Sequence, residues 1–123
     1  LRTDIQAIAR IMNLIIHYQL GNWDLIEYGL KSATRFLANR DRLFLIEKTI
    51  LKYIRLLSSH DPNISSIQTL HDFRAEVVLL LEDKLERQVM TLFNIVSWID
   101  SRIEETTMWH IETRGGRGEK VTR

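Results

Sequence analysis

Glycine and proline interrupt this chain at so few points that little besides helix fits its interior. Pro62 is the only proline, and three of the five glycines, Gly115, Gly116 and Gly118, crowd the C-terminal end. Between residues 1 and 113 only Gly21 and Gly29 remain. A sheet protein needs a turn former every eight to twelve residues or so, and this interior lacks them. The remaining 123-residue arithmetic is consistent with one domain. With 45% hydrophobic residues the chain can build a core, and it is too short for two. No cysteine is present, which removes disulfides, thiol nucleophiles and thiolate metal sites, and fits a reducing, cytoplasmic setting. No apolar run approaches the roughly 18 residues of a membrane span. The chain opens on Leu1 rather than methionine, so it reads as a piece of a longer protein.

Apolar spacing of three and four then predicts the helices. The first starts at Thr3 or Asp4 and carries Ile5, Ile8, Met12, Ile15 and Ile16 on one face. Ile11 and Leu14 widen that face, so neighbours are expected on more than one side. Gly21 ends it, and Asn22 caps a second helix bearing Ile26, Leu30, Ala33 and Leu37. Asp41 is the expected cap of a third, which repeats Leu43, Ile46, Ile50, Ile54 and Leu57. Residues 58–63, Ser-Ser-His-Asp-Pro-Asn, are the clearest break. A fourth helix begins after Ser65 or Ser66, and its pattern runs to about Glu105. That is one long helix or a pair with a bend near Gln88 to Thr91. The apolar run Val77 to Leu81 predicts a buried centre. Residues 1–113 thus form a single helical domain, and 114–123 a flexible basic tail.

The segment Tyr18-Gln19-Leu20-Gly21-Asn22-Trp23-Asp24-Leu25-Ile26 resembles the middle of a tetratricopeptide repeat (TPR). There an aromatic ends one helix, a Gly-Asn or Gly-Asp pair makes the turn, and an aromatic opens the next. Ala33 falls at the family's close-packing small residue. Arg10, Asn13 and Leu14 depart from its first-helix pattern, as does Ile26 from a usual alanine. Asp41 lies about one ~34-residue repeat after the first helix start. The runs Asp4-Ile5-Gln6, Asn13 to Tyr18 and Leu20-Gly21-Asn22 resemble the last repeats of uncharacterised bacterial TPR-like proteins, and Ser97 to Glu104 the segment near their C-terminus. The resemblance implies an all-α fold of antiparallel helix pairs, a fragment of an α-α superhelix ending in a long helix or helix pair. It also implies an end cap on a helical-repeat array.

Chemistry is hard to find. His17, His60, His71 and His110 lack metal-ligand spacing, and no H-E-x-x-H pair occurs. Glu82 and Glu86 stand at i,i+4, but Lys84 and Arg87 beside them read as a solvated face. The Arg114-Gly115-Gly116-Arg117-Gly118 run follows no strand and is no phosphate loop. Neither a cofactor nor a metal is expected, and the chain is not read as an enzyme.

Charge is the most suggestive signal. Residues 1–60 carry nine Lys/Arg against five Asp/Glu, net +4. Residues 61–113 carry four against ten, net −6, and the last ten residues four against one, net +3. Lys31 and Arg35 share a face of the second helix; Lys48, Lys52 and Arg55 share one of the third. With Arg42 between the two helices, these could merge into a basic surface for acidic partners. The alternative is an ordinary solvated face neutralised by the acidic fourth helix. Trp109, after Glu104-Glu105, is the candidate anchor for another chain.

The expected role is therefore a non-enzymatic protein-interaction or scaffold module that binds a protein partner or its own N-terminal repeats. Self-association through the first helix is a further expectation. Nucleic acid bound on the basic face is the second, less favoured reading.

Overall fold

The structure, a computed structural model, describes residues 2–39 and 44–122, with side chains described over 5–39 and 44–109. Six helices appear among the described residues, and no strand: α1 Arg2–Leu20, α2 Trp23–Ala38, α3 Leu45–Ser58, α4 Ser66–Leu80, α5 Lys84–Val89 and α6 Ile95–Thr122. The all-helical expectation holds. The caps proposed at Thr3, Asp4 and Asp41 lie outside the described side chains, as does Leu43. So does the tail expected over 114–123, where only the backbone of α6 is described.

α1 and α2 form an antiparallel hairpin closed by a Schellman turn. Gly21, at φ 72°, places its amide on the Tyr18 carbonyl (3.2 Å), and Asn22 places its own on that of His17 (3.0 Å). Asn22 does stand at the start of α2, but its side chain caps nothing there. Its amide nitrogen lies instead 3.2 Å from His17 Nδ1. Lower on the hairpin, Gly29 brings the two helices together: a Cβ there would stand 2.7 Å from Leu14 Cδ2.

α3 lies against both α1 and α2, α4 packs on α3, and α6 packs on α4. At its far end α1 also meets α6, where Gln19 Oε1 accepts from Trp98 Nε1 (3.1 Å) and Arg102 Nη1 (2.8 Å). The core is built from Ile8, Ile11, Leu14, Ile26, Ile46, Ile50, Ile54, Phe73, Val77, Ile95 and Ile99, with smaller residues between them.

The buried face of α1 is rotated from the expected one. Ala7, Ile8, Ile11, Leu14 and Ile15 are buried, whereas Ile5 and Ile16 are exposed. Ile11 and Leu14 are therefore central to the buried face rather than its margin. α1 does touch several neighbours, as its broad apolar face implied.

Residues 59–65 form the break that the sequence places at 58–63. Asp61 Oδ1 accepts from the Asn63 amide (2.9 Å), and Ser65 Oγ from the Gln68 amide (3.2 Å), capping α4. Beyond it, where the sequence reads as one long helix or a pair, the chain forms three helices. The first break, at 81–83, ends on Asp83, whose carboxylate accepts from Leu85 (2.8 Å) and Glu86 (3.3 Å) amides. The second, at 90–94, ends on Asn94, whose Oδ1 accepts from Ser97 (3.0 Å); it borders the bend expected at 88–91. The run Val77 to Leu81 is not a buried centre. It straddles the last turn of α4, so only Val77 is fully buried; Leu80 and Leu81 pack half-buried against the core while Leu79 is 68% exposed.

Candidate partner-binding groove

Where α2 begins and α3 ends, the two helices leave an open groove of about 490 Å³. Trp23, Ile26 and Leu30 of α2 form its apolar wall, and Ser58 and Ser59 close the α3 side. Lys31 and Arg55 stand at its rim with Asp24 and Glu27. The helical period explains the α2 wall: Trp23, Ile26, Glu27 and Leu30 recur at three and four, one stripe beside the core. Trp23 is fixed from two directions, its ring edge-on to Tyr18 (centroids 5.6 Å) and to His60 (4.4 Å). His60 takes φ 55°, the left-handed region, where a non-glycine residue is uncommon.

The seven residues singled out in the sequence separate on this frame. Lys31 and Arg55 line the same groove from α2 and α3. Lys31 also pairs with Glu27 of its own helix at 3.9 Å, both side chains largely exposed. Arg35 and Lys48 are exposed on their helices. Lys52 turns the other way and places Nζ 3.2 Å from both oxygens of Glu76 on α4. Its basic charge is thus neutralised by the acidic fourth helix, the alternative weighed from the sequence. Arg42 lies outside the described residues. Trp109 is 63% exposed on α6 and does not line the groove.

Behind Lys52, Tyr53 donates its hydroxyl to Glu76 and stacks on Phe73 with ring centroids 4.7 Å apart. Burial pushes the Tyr53 phenol well above its ordinary value, and the hydrogen bond to Glu76 and the charges of Glu76 and Asp72 push it further. Tyr18 is raised as well by burial, against the opposing charge of Arg102. The Tyr53 phenol is thus a structural donor to Glu76.

Sequence reasoning missed two carboxylates with defined work. Glu86 of α5 accepts from the Leu45 (3.1 Å) and Ile46 (2.9 Å) amides, capping α3 from a distant element. Glu47, fully buried, accepts from the Phe44 amide at 3.4 Å. The pair Glu82 and Glu86 does not share a helix: Glu82 precedes α5 in the turn. Among the described residues no cluster of three or more His, Asp or Glu could hold a metal ion. No helix among them is long and apolar enough to cross a membrane. No protein-family model, curated protein or solved structure matches the chain.

Proposed function

We propose that this chain is a non-enzymatic interaction module that receives a protein partner in the groove between α2 and α3. The observation that carries the reading is the convergence of Trp23, Ile26 and Leu30 with Lys31 and Arg55 around one open groove. Apolar walls ringed by charges of both signs suit a partner segment with an apolar anchor between a basic and an acidic side chain. Trp23, held by Tyr18 and His60, supplies contact area with little ordering cost. The Gly21-Asn22 turn that places it is the element resembling a TPR, and that resemblance supports a place in a helical-repeat array. The absence of cysteine accords with a cytoplasmic setting.

Site-specific photocrosslinking from position 27, exposed on the groove's lining, tests the proposal in cells. A discrete protein adduct that disappears in K31E and R55E supports it; adducts unchanged by both substitutions would sink it. A nucleic-acid partner is the competing reading, carried by Arg35, Lys48 and Arg55. It requires binding that weakens steeply with salt, and the pairing of Lys52 with Glu76 removes one of its phosphate contacts.

A further inference from the structure

A second groove, on the α1/α2 hairpin, is chemically unlike the first. It measures about 320 Å³ and is lined by Arg10, Asn13 and His17 of α1 and by Leu25, Tyr28, Gly29 and Ser32 of α2. The α1 residues stand at i, i+3 and i+7, and the α2 residues at i, i+3, i+4 and i+7. Each set is therefore one stripe about 10 Å long. Gly29 sits at the middle, where the lack of a Cβ lets Leu14 come close beneath and leaves the floor shallow.

Every polar side chain in this lining has a hydrogen to donate, and no carboxylate is among them. Arg10 is held in place twice: Nη1 donates to Ser32 Oγ (3.3 Å), and the guanidinium lies 4.4 Å from the Phe36 ring centroid. Its other N–H groups remain for a ligand. Ser32, accepting from Arg10, keeps its own proton to donate. His17 Nδ1 lies 3.2 Å from the side-chain amide nitrogen of Asn22, so Nδ1 is the ring nitrogen already engaged and Nε2 the one left for a ligand. Asn13 adds an amide, and Tyr28, 75% exposed, adds a phenol at the rim.

We infer that the α1/α2 groove binds a phosphate group, with Arg10, Asn13 and His17 on one wall and Tyr28 and Ser32 on the other. Donors on two facing walls suit a tetrahedral anion better than a planar carboxylate, and the ordered guanidinium loses little freedom on binding. The groove between α2 and α3 offers no such site, because Asp24 and Glu27 stand beside its cations.

Titration of the full chain with inorganic phosphate and with phenyl phosphate, at constant ionic strength, tests this by amide NMR. Saturable shifts centred on Arg10, Asn13, His17 and Ser32 are expected. R10Q should weaken them about tenfold, the loss of one charge-assisted contact. N13A should weaken them less, and K31Q, at the other groove, should leave them unchanged. Shifts that do not saturate, that persist in R10Q, or that acetate reproduces equally well would overturn the assignment. Vesicles containing phosphatidic acid identify the source of the phosphate. Sedimentation with them that R10Q abolishes assigns the groove a lipid headgroup; phenyl phosphate binding without sedimentation assigns it a soluble phosphomonoester.

Discussion

At Gly29 an added Cβ would stand 2.7 Å from Leu14 Cδ2, and Leu14 is itself buried in the core. An alanine there gains up to about 1 kcal/mol of helix propensity, but it must displace a side chain with nowhere to go. Overpacking of that kind costs about 1–3 kcal/mol, so G29A is expected to lower the urea midpoint. A midpoint equal to or above that of the parent would show that α1 and α2 are not in close contact. Tyr53 gives a residue-scale prediction with a definite pH direction. Its phenol stays protonated in the fold above the ordinary value of 10.0, as does that of Tyr18. Above pH about 10 the unfolded chain sheds protons that the folded chain keeps, so stability falls as pH rises from there. Below that value the contribution is fully present. Y53F is expected to cost about 1 kcal/mol at neutral pH through the lost bond to Glu76. It should also flatten the alkaline decline, which denaturation series at pH 8 and pH 11 would measure.

The elements differ in how plainly the sequence announces them. α1 to α3 and the start of α4 follow from apolar spacing, Gly21 and the Ser-Ser-His-Asp-Pro-Asn break, because local signals and tertiary packing agree there. The division of 66–122 into α4, α5 and α6 was concealed because neither break uses glycine or proline. Asp83 and Asn94 start the new helices α5 and α6 by turning their side chains onto the first backbone amides, and each looks in sequence like any polar residue on a helix surface. What completes the first break is long-range: α5 carries Glu86 to the amides of Leu45 and Ile46, 40 residues away. A carboxylate at a helix N-terminus meets both unfilled donors and the helix dipole. E86A is expected to cost about 1 kcal/mol, in the range of a lost N-cap, and to speed amide exchange at Leu45 and Ile46. D83A should do the same by loosening α5. Unchanged exchange in both variants would remove the cap from the account. The candidate groove was half legible for a similar reason. Lys48, Lys52 and Arg55 share a stripe in sequence, yet the three-residue step from Lys52 to Arg55 turns the side chain by about 60° around α3. Lys52 thus faces Glu76 on α4 while Arg55 faces α2.

On the scale of the whole molecule, the segregated charge is partly consumed inside the fold. Lys52 meets Glu76, and Glu86 meets the start of α3, so the basic front and acidic back bind each other across α3. Arg74 and Asp100 join α4 to α6 in the same manner. Exposed pairs of this type contribute little each, which leaves apolar burial as the main source of cohesion. Burial is incomplete along α1. Ile5, Ile16 and Leu20 are 53%, 52% and 67% exposed, and with Ala9 and Met12 they stand at i, i+4, i+7, i+11 and i+15, a continuous stripe whose Met12 is half-buried against the core. Such a stripe on a helix that already has α2, α3 and α6 as neighbours is the surface on which a second copy would seat most simply. Light scattering across a concentration series is therefore expected to give a mass rising toward the dimer. I16K places a charge at the middle of the stripe and should hold the chain monomeric, without lowering the urea midpoint, because Ile16 makes no part of the core. A parent chain that stays monomeric at high concentration would return the stripe to the status of ordinary surface. A mass unaffected by I16K would move the contact elsewhere, with Trp109 on the exposed part of α6 the next position to substitute.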